Sequence, residues 1–299
     1  MSAERDRTVG VVGLGNMGLP MARTLAEKGW AVLGCDLAPE RRAAAAAAGI
    51  EAGENVAETV RRARFLVLSL PKAEHVAGVV EAAGLLAPGL SRTLVIDTST
   101  SEPEVSRRLA AALAGAGHGF LDAPVSGGPA GAAAGTLAVM VGGGEADLAE
   151  AQPVLEALAA KVVHVGASGA GNVAKLVNNL LVAAHMLTTR EALRLAAAAG
   201  VEPEAALKVV NAATGRSAIS EVHVPTWVLS GRFDSGFSAG LMRKDVMLAR
   251  ALAARAGLDL PLADLVAALW SEAESGVSDA DDFTRLGDPA APRPTREVA

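Results

Sequence analysis

The order of apolar segments predicts an α/β fold in two parts, a strand-and-helix half followed by an all-α half. Two observations carry this. Strand-like and helix-like segments alternate as far as Val165, which implies a mostly parallel sheet with helices on both faces. From Gly171 to Ala199 there is then neither proline nor internal glycine, and strong helix formers dominate. A helix of that length spans roughly 43 Å at about 1.5 Å per residue.

Val9–Val12 is the first strand, and Gly13-Leu14-Gly15-Asn16-Met17-Gly18 follows at once. The helix it opens has Met17, Met21 and Leu25 on one face with Ala22 beside them, and the next strand, Ala31–Cys35, delivers Asp36. A lone G-x-G-x-x-G is a weak pattern. Placed after a strand, opening a helix and followed about 20 residues on by an acid, it is the fingerprint of a Rossmann-type dinucleotide-binding domain. Gly13 permits the tight turn, Gly15 lets the backbone approach a pyrophosphate, and Gly18 lets helix and strand pack closely. The helix N-terminus offers unpaired N–H groups to the anion.

Further along, Pro39 opens a helix that runs through the alanine tract to Gly49. Arg64–Ser69, Thr93–Ile96, Gly119–Asp122, Leu137–Gly142 and Val162–Val165 read as strands. Beyond the long helix, helical stretches are expected around Pro203–Ala213, Leu241–Ala256 and Leu262–Ser275, with no strand between them. The expected division is therefore a nucleotide-binding domain over 1–166, a helical substrate and oligomerisation domain over 167–286, and a mobile proline-rich tail over 287–299.

Composition narrows the class. The chain has 299 residues, half of them apolar, and a net charge of −6 without any basic stripe. Nucleic acid is thus excluded as an expected partner. Cys35 is the only cysteine, which rules out an intrachain disulfide and suits a reducing compartment. It reads as a small buried hydrophobe rather than a reactive thiol. The charged N-terminus has no apolar stretch of signal-peptide type, and no apolar run reaches membrane-spanning length. A cytoplasmic protein is expected. The five histidines show no paired metal-ligand spacing, so no metal is expected.

Four segments carry chemistry. Asp36 is placed to accept hydrogen bonds from the adenosine ribose and to repel a 2′-phosphate, which favours NAD over NADP. Arg41 and Arg42 are close enough in sequence to receive such a phosphate, but a solvated helix face is their expected role. In Asp122–Pro129, Gly127 and Gly128 let backbone N–H groups converge and Ser126 adds a hydroxyl, an arrangement suited to a carboxylate. Taken alone, the segment reads equally well as a loop that needs glycine to turn. Lys175 and Asn179 share one face of the long helix, with Asn178 bordering it. A lysine and an amide in so apolar a setting, near a domain junction, point to function. Thr214–Ser217 is a helix-to-helix turn in which Gly215 and Ser217 suit capping, while Arg216 brings a guanidinium able to clamp a second anionic or hydroxylated group.

With these motifs in order, the chain resembles the β-hydroxyacid dehydrogenases, the group containing 3-hydroxyisobutyrate dehydrogenase and tartronate semialdehyde reductase. The similarity covers Gly13–Ala22, Asp122–Gly128 with Gly135–Leu137, Gly169–Asn179 and Gly240–Asp245. It implies that Lys175 is the catalytic lysine, that Asn179 positions substrate, and that Ser126, Gly127 and Gly128 contact substrate. It further implies that Leu70, Pro71 and Thr100 lie beside the cofactor and that Lys244 reaches it from the helical domain. In the family, the region of Arg216 contributes to substrate choice. Homo-oligomers, as dimer or tetramer, are also expected.

The expected reaction moves hydride between nicotinamide and the carbinol carbon of a small β-hydroxy acid or its semialdehyde. Lys175 acts as base in oxidation and acid in reduction. Partial burial and a positively charged ring nearby favour the neutral amine that the base role needs. The alternatives are an NADPH-dependent reductase of a related aldehyde or imine, and a non-catalytic binding module, against which Lys175 itself argues.

Overall fold

A computed structural model describes residues 5–271 and 275–290. The chain forms two compact units, Met1–Lys175 and Leu176–Ala299.

The first unit is built on one sheet. Its strands in chain order are β1 (Thr8–Val12), β2 (Ala31–Cys35), β3 (Glu51–Gly53), β4 (Phe65–Leu68), β5 (Leu94–Asp97), β6 (Gly119–Asp122), β7 (Val125–Ser126), β8 (Leu137–Gly142) and β9 (Ala159–Gly166). They lie side by side as β3-β2-β1-β4-β5-β6-β8-β7, with β9 paired to β8. From β3 to β6 every pairing is parallel. β8 departs from the parallel course of the strands from β3 to β6: it runs antiparallel to β6 and β7, and β9 is parallel to it. The strand order reverses beside β1, so the segment after β1 sits at the switch point where ligands of such sheets bind.

Helices connect the strands: α1 (Gly18–Glu27), α2 (Pro39–Ala47), α3 (Val56–Arg62), α4 (Ala73–Ala82), α5 (Pro103–Gly115), α6 (Gly128–Ala134) and α7 (Glu145–Leu158). Successive side chains of a strand point to opposite faces, and both faces are covered. Val9, Val11, Val67, Ile96 and Leu121 pack with Met21 and Leu25 of α1 and with Val154 and Leu155 of α7. Val12, Leu66, Leu68, Val95 and Phe120 pack on the other side with Val76, Val80 and Leu113. Strands buried on both faces are near-continuous apolar runs, which is why these were visible in the sequence. Cys35 is buried in the second cluster, where desolvation pushes its thiol above the ordinary range.

At the opposite end of the sheet from the strand C-termini, His118 joins β5 to β6. The Thr93 backbone N–H donates to its Nδ1 at 3.0 Å, and its Nε2 is buried with no hydrogen-bond partner among the described residues.

The long helix α8 (Ala170–Ala198) starts in the first unit and continues into the second. The second unit adds α9 (Pro203–Ala212), a π-helical stretch (Ile219–Val228), α10 (Ala239–Arg255), α11 (Pro261–Trp270) and a 3₁₀ turn (Phe283–Gly287). Its core gathers Met186, Leu193, Leu207, Ile219, Val224, Met242, Val246, Trp270 and Phe283. The buried Trp270 satisfies its indole N–H on the Ala183 carbonyl at 3.2 Å. The π-helical stretch was not expected; Pro225 within it has no N–H to donate. Of the tail expected over 287–299, Gly287 closes the 3₁₀ turn and is buried, and 291–299 lie outside the described residues. No described helix is long and apolar enough to cross a membrane.

Candidate active site

The turn after β1 is shaped by its glycines. Gly13 has φ +88°, and a methyl group added at Gly18 would stand 1.7 Å from the Gly13 carbonyl oxygen. Strand end and helix start therefore touch backbone to backbone. Above Gly15 the nearest group is the flexible end of Arg41, 3.1 Å from where a Cβ would be. Gly15 and Met17 are half-buried and Asn16 is exposed, whereas Gly13, Leu14 and Gly18 are buried. The turn thus offers its backbone outward at the middle residues and packs inward at the ends, a form that fits a pyrophosphate.

Asp36 is tied to this turn. Its Oδ2 accepts from the Leu14 N–H at 2.7 Å and its Oδ1 from the Ala38 N–H at 2.9 Å. Each oxygen keeps acceptor capacity for a ribose hydroxyl. Arg41 stands exposed on the helix face expected of it, whereas Arg42 is half-buried. Arg42 donates to the Asp36 and Leu37 carbonyls at 2.9 and 2.8 Å, and the Arg41 guanidinium lies 3.7 Å from the Asp36 carboxylate.

The loops after β4 and β5 meet beside the glycine turn. Leu70 donates its N–H to Ser99 Oγ at 2.9 Å, and a Cβ on Gly13 would stand 3.0 Å from a Leu70 methyl. Thr100 follows, half-buried, and Pro71 is exposed. Beyond β6, Gly127 and Gly128 both have positive φ, +127° and +64°. Ser126 lies on β7, half-buried, opposite Ala138 of β8.

The first turn of α8 is anchored on Asp122, a residue that the motif contains but that sequence reasoning gave no role. Its carboxylate is buried at the end of β6 and accepts from the Gly169 N–H at 2.7 Å and the Asn172 N–H at 2.9 Å. Burial raises its pKa above the ordinary carboxylate range, outweighing the opposing pull of the backbone donors of Gly169, Asn172 and Gly171. Lys175 comes one turn later and is 9% exposed.

The second unit holds Asn179, Lys244 and Arg216. Asn179 is buried and donates to Asp245 Oδ2 at 2.6 Å, and Lys244 lies 3.0 Å from Asp245 Oδ1. The structure thus brings Asn179 and Lys244 onto one buried carboxylate, which sequence reasoning also left without a role. A lone acid after a lysine carries no signal for this, because the partner lies 66 positions away in sequence. Arg216 is exposed in the turn between α9 and the π-helical stretch. The capping expected of Ser217 is present there: its Oγ accepts from the Ser220 N–H at 3.2 Å.

Comparison with known proteins agrees with this layout. Residues 8–166 match the model for the NAD binding domain of 6-phosphogluconate dehydrogenase. Residues 169–288 match the model for the NAD-binding region of NADP-dependent 3-hydroxyisobutyrate dehydrogenase. The chain belongs to the β-hydroxyacid dehydrogenase family. Among curated relatives of this dehydrogenase, a probable 3-hydroxyisobutyrate dehydrogenase of Mycobacterium tuberculosis is 38% identical over 92% of this chain and 95% of its own. The 2-(hydroxymethyl)glutarate dehydrogenase of Eubacterium barkeri is 36% identical over 87% of this chain and 86% of its own. A solved structure of the Mycobacterium tuberculosis 3-hydroxyisobutyrate dehydrogenase with L-serine superposes with a TM-score of 0.85 at 36% identity, covering 94% of this chain and 97% of that one. The protein is accordingly an NAD(P)-dependent dehydrogenase acting on CH–OH groups.

Proposed function

We propose that this dehydrogenase oxidises a small β-hydroxy acid, or reduces the matching semialdehyde, with NAD as cofactor and Lys175 as the general acid–base group. The observation that carries the reading is the placement of Lys175: largely buried on α8, one turn beyond the anchored Asp122 junction and one turn before the fixed amide of Asn179.

The bound dinucleotide supplies the hydride chemistry. The chain's own residues hold it and manage the proton. Gly13–Gly18 cradle the pyrophosphate, Asp36 takes the ribose hydroxyls, Leu70, Pro71 and Thr100 flank the nicotinamide end, and Lys244 contributes a cation. Ser126, with the backbone of Gly127 and Gly128, binds the substrate carboxylate. Asn179 donates one amide hydrogen to Asp245 and turns its second toward substrate. Lys175 accepts the carbinol proton during oxidation and returns it during reduction.

Substrate choice is read at Arg216. A guanidinium grips a second carboxylate in a planar, two-point manner, so a dicarboxylic hydroxy acid such as the one named for the Eubacterium barkeri relative is a strong candidate beside 3-hydroxyisobutyrate and L-serine. The exposed Val177, Leu181 and Leu195 on α8 suit a homo-oligomer.

The test is a panel of 3-hydroxyisobutyrate, L-serine, glycerate, threonate and 2-(hydroxymethyl)glutarate, each with NAD and NADP. Reduced cofactor should appear with at least one β-hydroxy acid, faster with NAD. No reduction with any member removes the reading.

Asp36→Ala bears on cofactor choice. It removes the ribose acceptor, and it also frees the Leu14 and Ala38 N–H groups that the carboxylate holds. NAD affinity should fall by roughly tenfold or more, the scale of a hydrogen bond to a charged group, and the preference over NADP should narrow. Unchanged affinity for NAD on titration would show that the ribose is held elsewhere.

A further inference from the structure

Asn172 has no counterpart among the residues assigned above, yet it is completely buried and every polar group of its side chain is used. Its Oδ1 accepts from the Ser101 backbone N–H at 2.9 Å, and its Nδ2 donates to Ser106 Oγ at 3.0 Å. Its own backbone N–H donates to Asp122 at 2.9 Å. One residue in the first turn of α8 is therefore fastened to the loop after β5, to α5 and to the end of β6. Close backbone packing removes the remaining slack: a methyl group at Gly171 would stand 2.4 Å from the Asp122 carbonyl oxygen and 2.5 Å from that of Met140.

The two segments that Asn172 joins are those on which the reaction depends. Ser101 directly follows Thr100, on the loop placed beside the nicotinamide. Lys175 lies three positions after Asn172, so the two are neighbours on the helix surface. An apolar side chain could fill the same space, but it would not set the distance between loop and helix through directional bonds made in a dry interior. Buried polar atoms left without partners would also be costly.

We propose that Asn172 is a positioning residue for hydride transfer, holding the Thr100 loop and the Lys175 turn in register. This rests on the roles given above to Thr100 and Lys175. It predicts a defect in the chemical step rather than in binding, because reacting atoms displaced by about 1 Å can lose on the order of a hundredfold in rate while ligand affinity persists.

The experiment compares Asn172→Ala, Asn172→Asp and Ser106→Ala with the parent enzyme, scaled to folded protein, using the best substrate of the panel deuterated at the carbinol carbon. Asn172→Ala should lower kcat by about 10- to 100-fold, change substrate KM and NAD affinity by less than about threefold, and raise the deuterium isotope effect on kcat. Asn172→Asp keeps an oxygen acceptor for the Ser101 N–H and should recover most of kcat. Ser106→Ala leaves that bond in place and should stay near the parent rate; it reads the proposal even if Asn172→Ala fails to fold, since a kcat loss in Ser106→Ala with none in Asn172→Asp would contradict it. The proposal is overturned if Asn172→Ala keeps kcat within about twofold, or loses affinity and stability with kcat intact. Lys175→Ala, run alongside, separates the two failures. If it abolishes turnover while the Asn172 variants are normal, positioning alone is wrong. If it remains active, the acid–base reading fails and the positioning role falls with it.

Discussion

Lys175→Ala is expected to reduce turnover by roughly a hundredfold or more in both directions, the usual scale for losing a general acid–base group. Affinity for NADH should change little, because the expected cofactor contacts lie on the glycine turn, at Asp36 and on the loops after β4 and β5. The loss should appear in kcat and kcat/KM alike, as it does when an interaction made only in the transition state is removed. Lys175→Arg should not restore activity, since a guanidinium stays protonated at working pH and cannot accept the carbinol proton. Steady-state kinetics with a fluorescence titration of NADH would check both halves. Near-normal turnover in Lys175→Ala would move the acid–base role to another group.

Gly18→Ala has the second large effect. The added methyl group would sit 1.7 Å from the Gly13 carbonyl oxygen and 2.9 Å from its carbonyl carbon, so helix α1 and the end of β1 must part. Overpacking of this sort costs about 1–3 kcal/mol, occasionally more, and here the obstacle is backbone that cannot swing aside. Thermal unfolding should move down by several degrees, and NADH affinity should fall with it because the displaced segment is the one proposed to hold the pyrophosphate. Asn16→Ala, on the exposed part of the same turn, is the comparison. It should leave the unfolding temperature nearly unchanged. Equal stability of Gly18→Ala and the parent would mean that the turn yields more easily than its geometry implies.

Much of the fold was legible because its strands are buried on both faces. Runs such as Phe65–Leu68 and Leu94–Asp97 have few polar interruptions, and the alternation with helices dictates a mostly parallel sheet. β3 was illegible for the opposite reason: Glu51–Gly53 is an exposed edge strand paired with β2, with no apolar signature. β7 is two residues long and carries no periodicity. The reversal of β8 was equally hidden, since an apolar run does not state its direction; the short Gly127–Gly135 connection, which returns the chain beside β7, decides it. In the site, motif residues announced themselves by type and spacing. Asp122, Asn172 and Asp245 did not. Each acts through partners roughly 50 to 70 positions away, and a side chain's usefulness to a distant backbone N–H leaves no local trace.

The histidine between β5 and β6 gives the protein a built-in acid weakness. Because the Thr93 N–H points at Nδ1, that nitrogen must carry a lone pair, and the ring must be the neutral tautomer with its proton on Nε2. Burial, with Arg92 and Arg5 nearby, lowers the pKa of His118 below the ordinary histidine value. The unfolded chain therefore takes up this proton first as pH falls. The contribution to stability is whole above about pH 6.5, the value of a free histidine, and is surrendered progressively below it. Unfolding temperatures of the parent should thus drop more steeply between pH 7.5 and 5.5 (conditions of the experiment, about two units across the ordinary histidine range) than those of His118→Asn, whose amide oxygen can receive the same N–H without titrating. Parallel curves would acquit the imidazole. In mildly acidic solution the enzyme should therefore lose stability first at the floor of its sheet, at the end away from the strand C-termini.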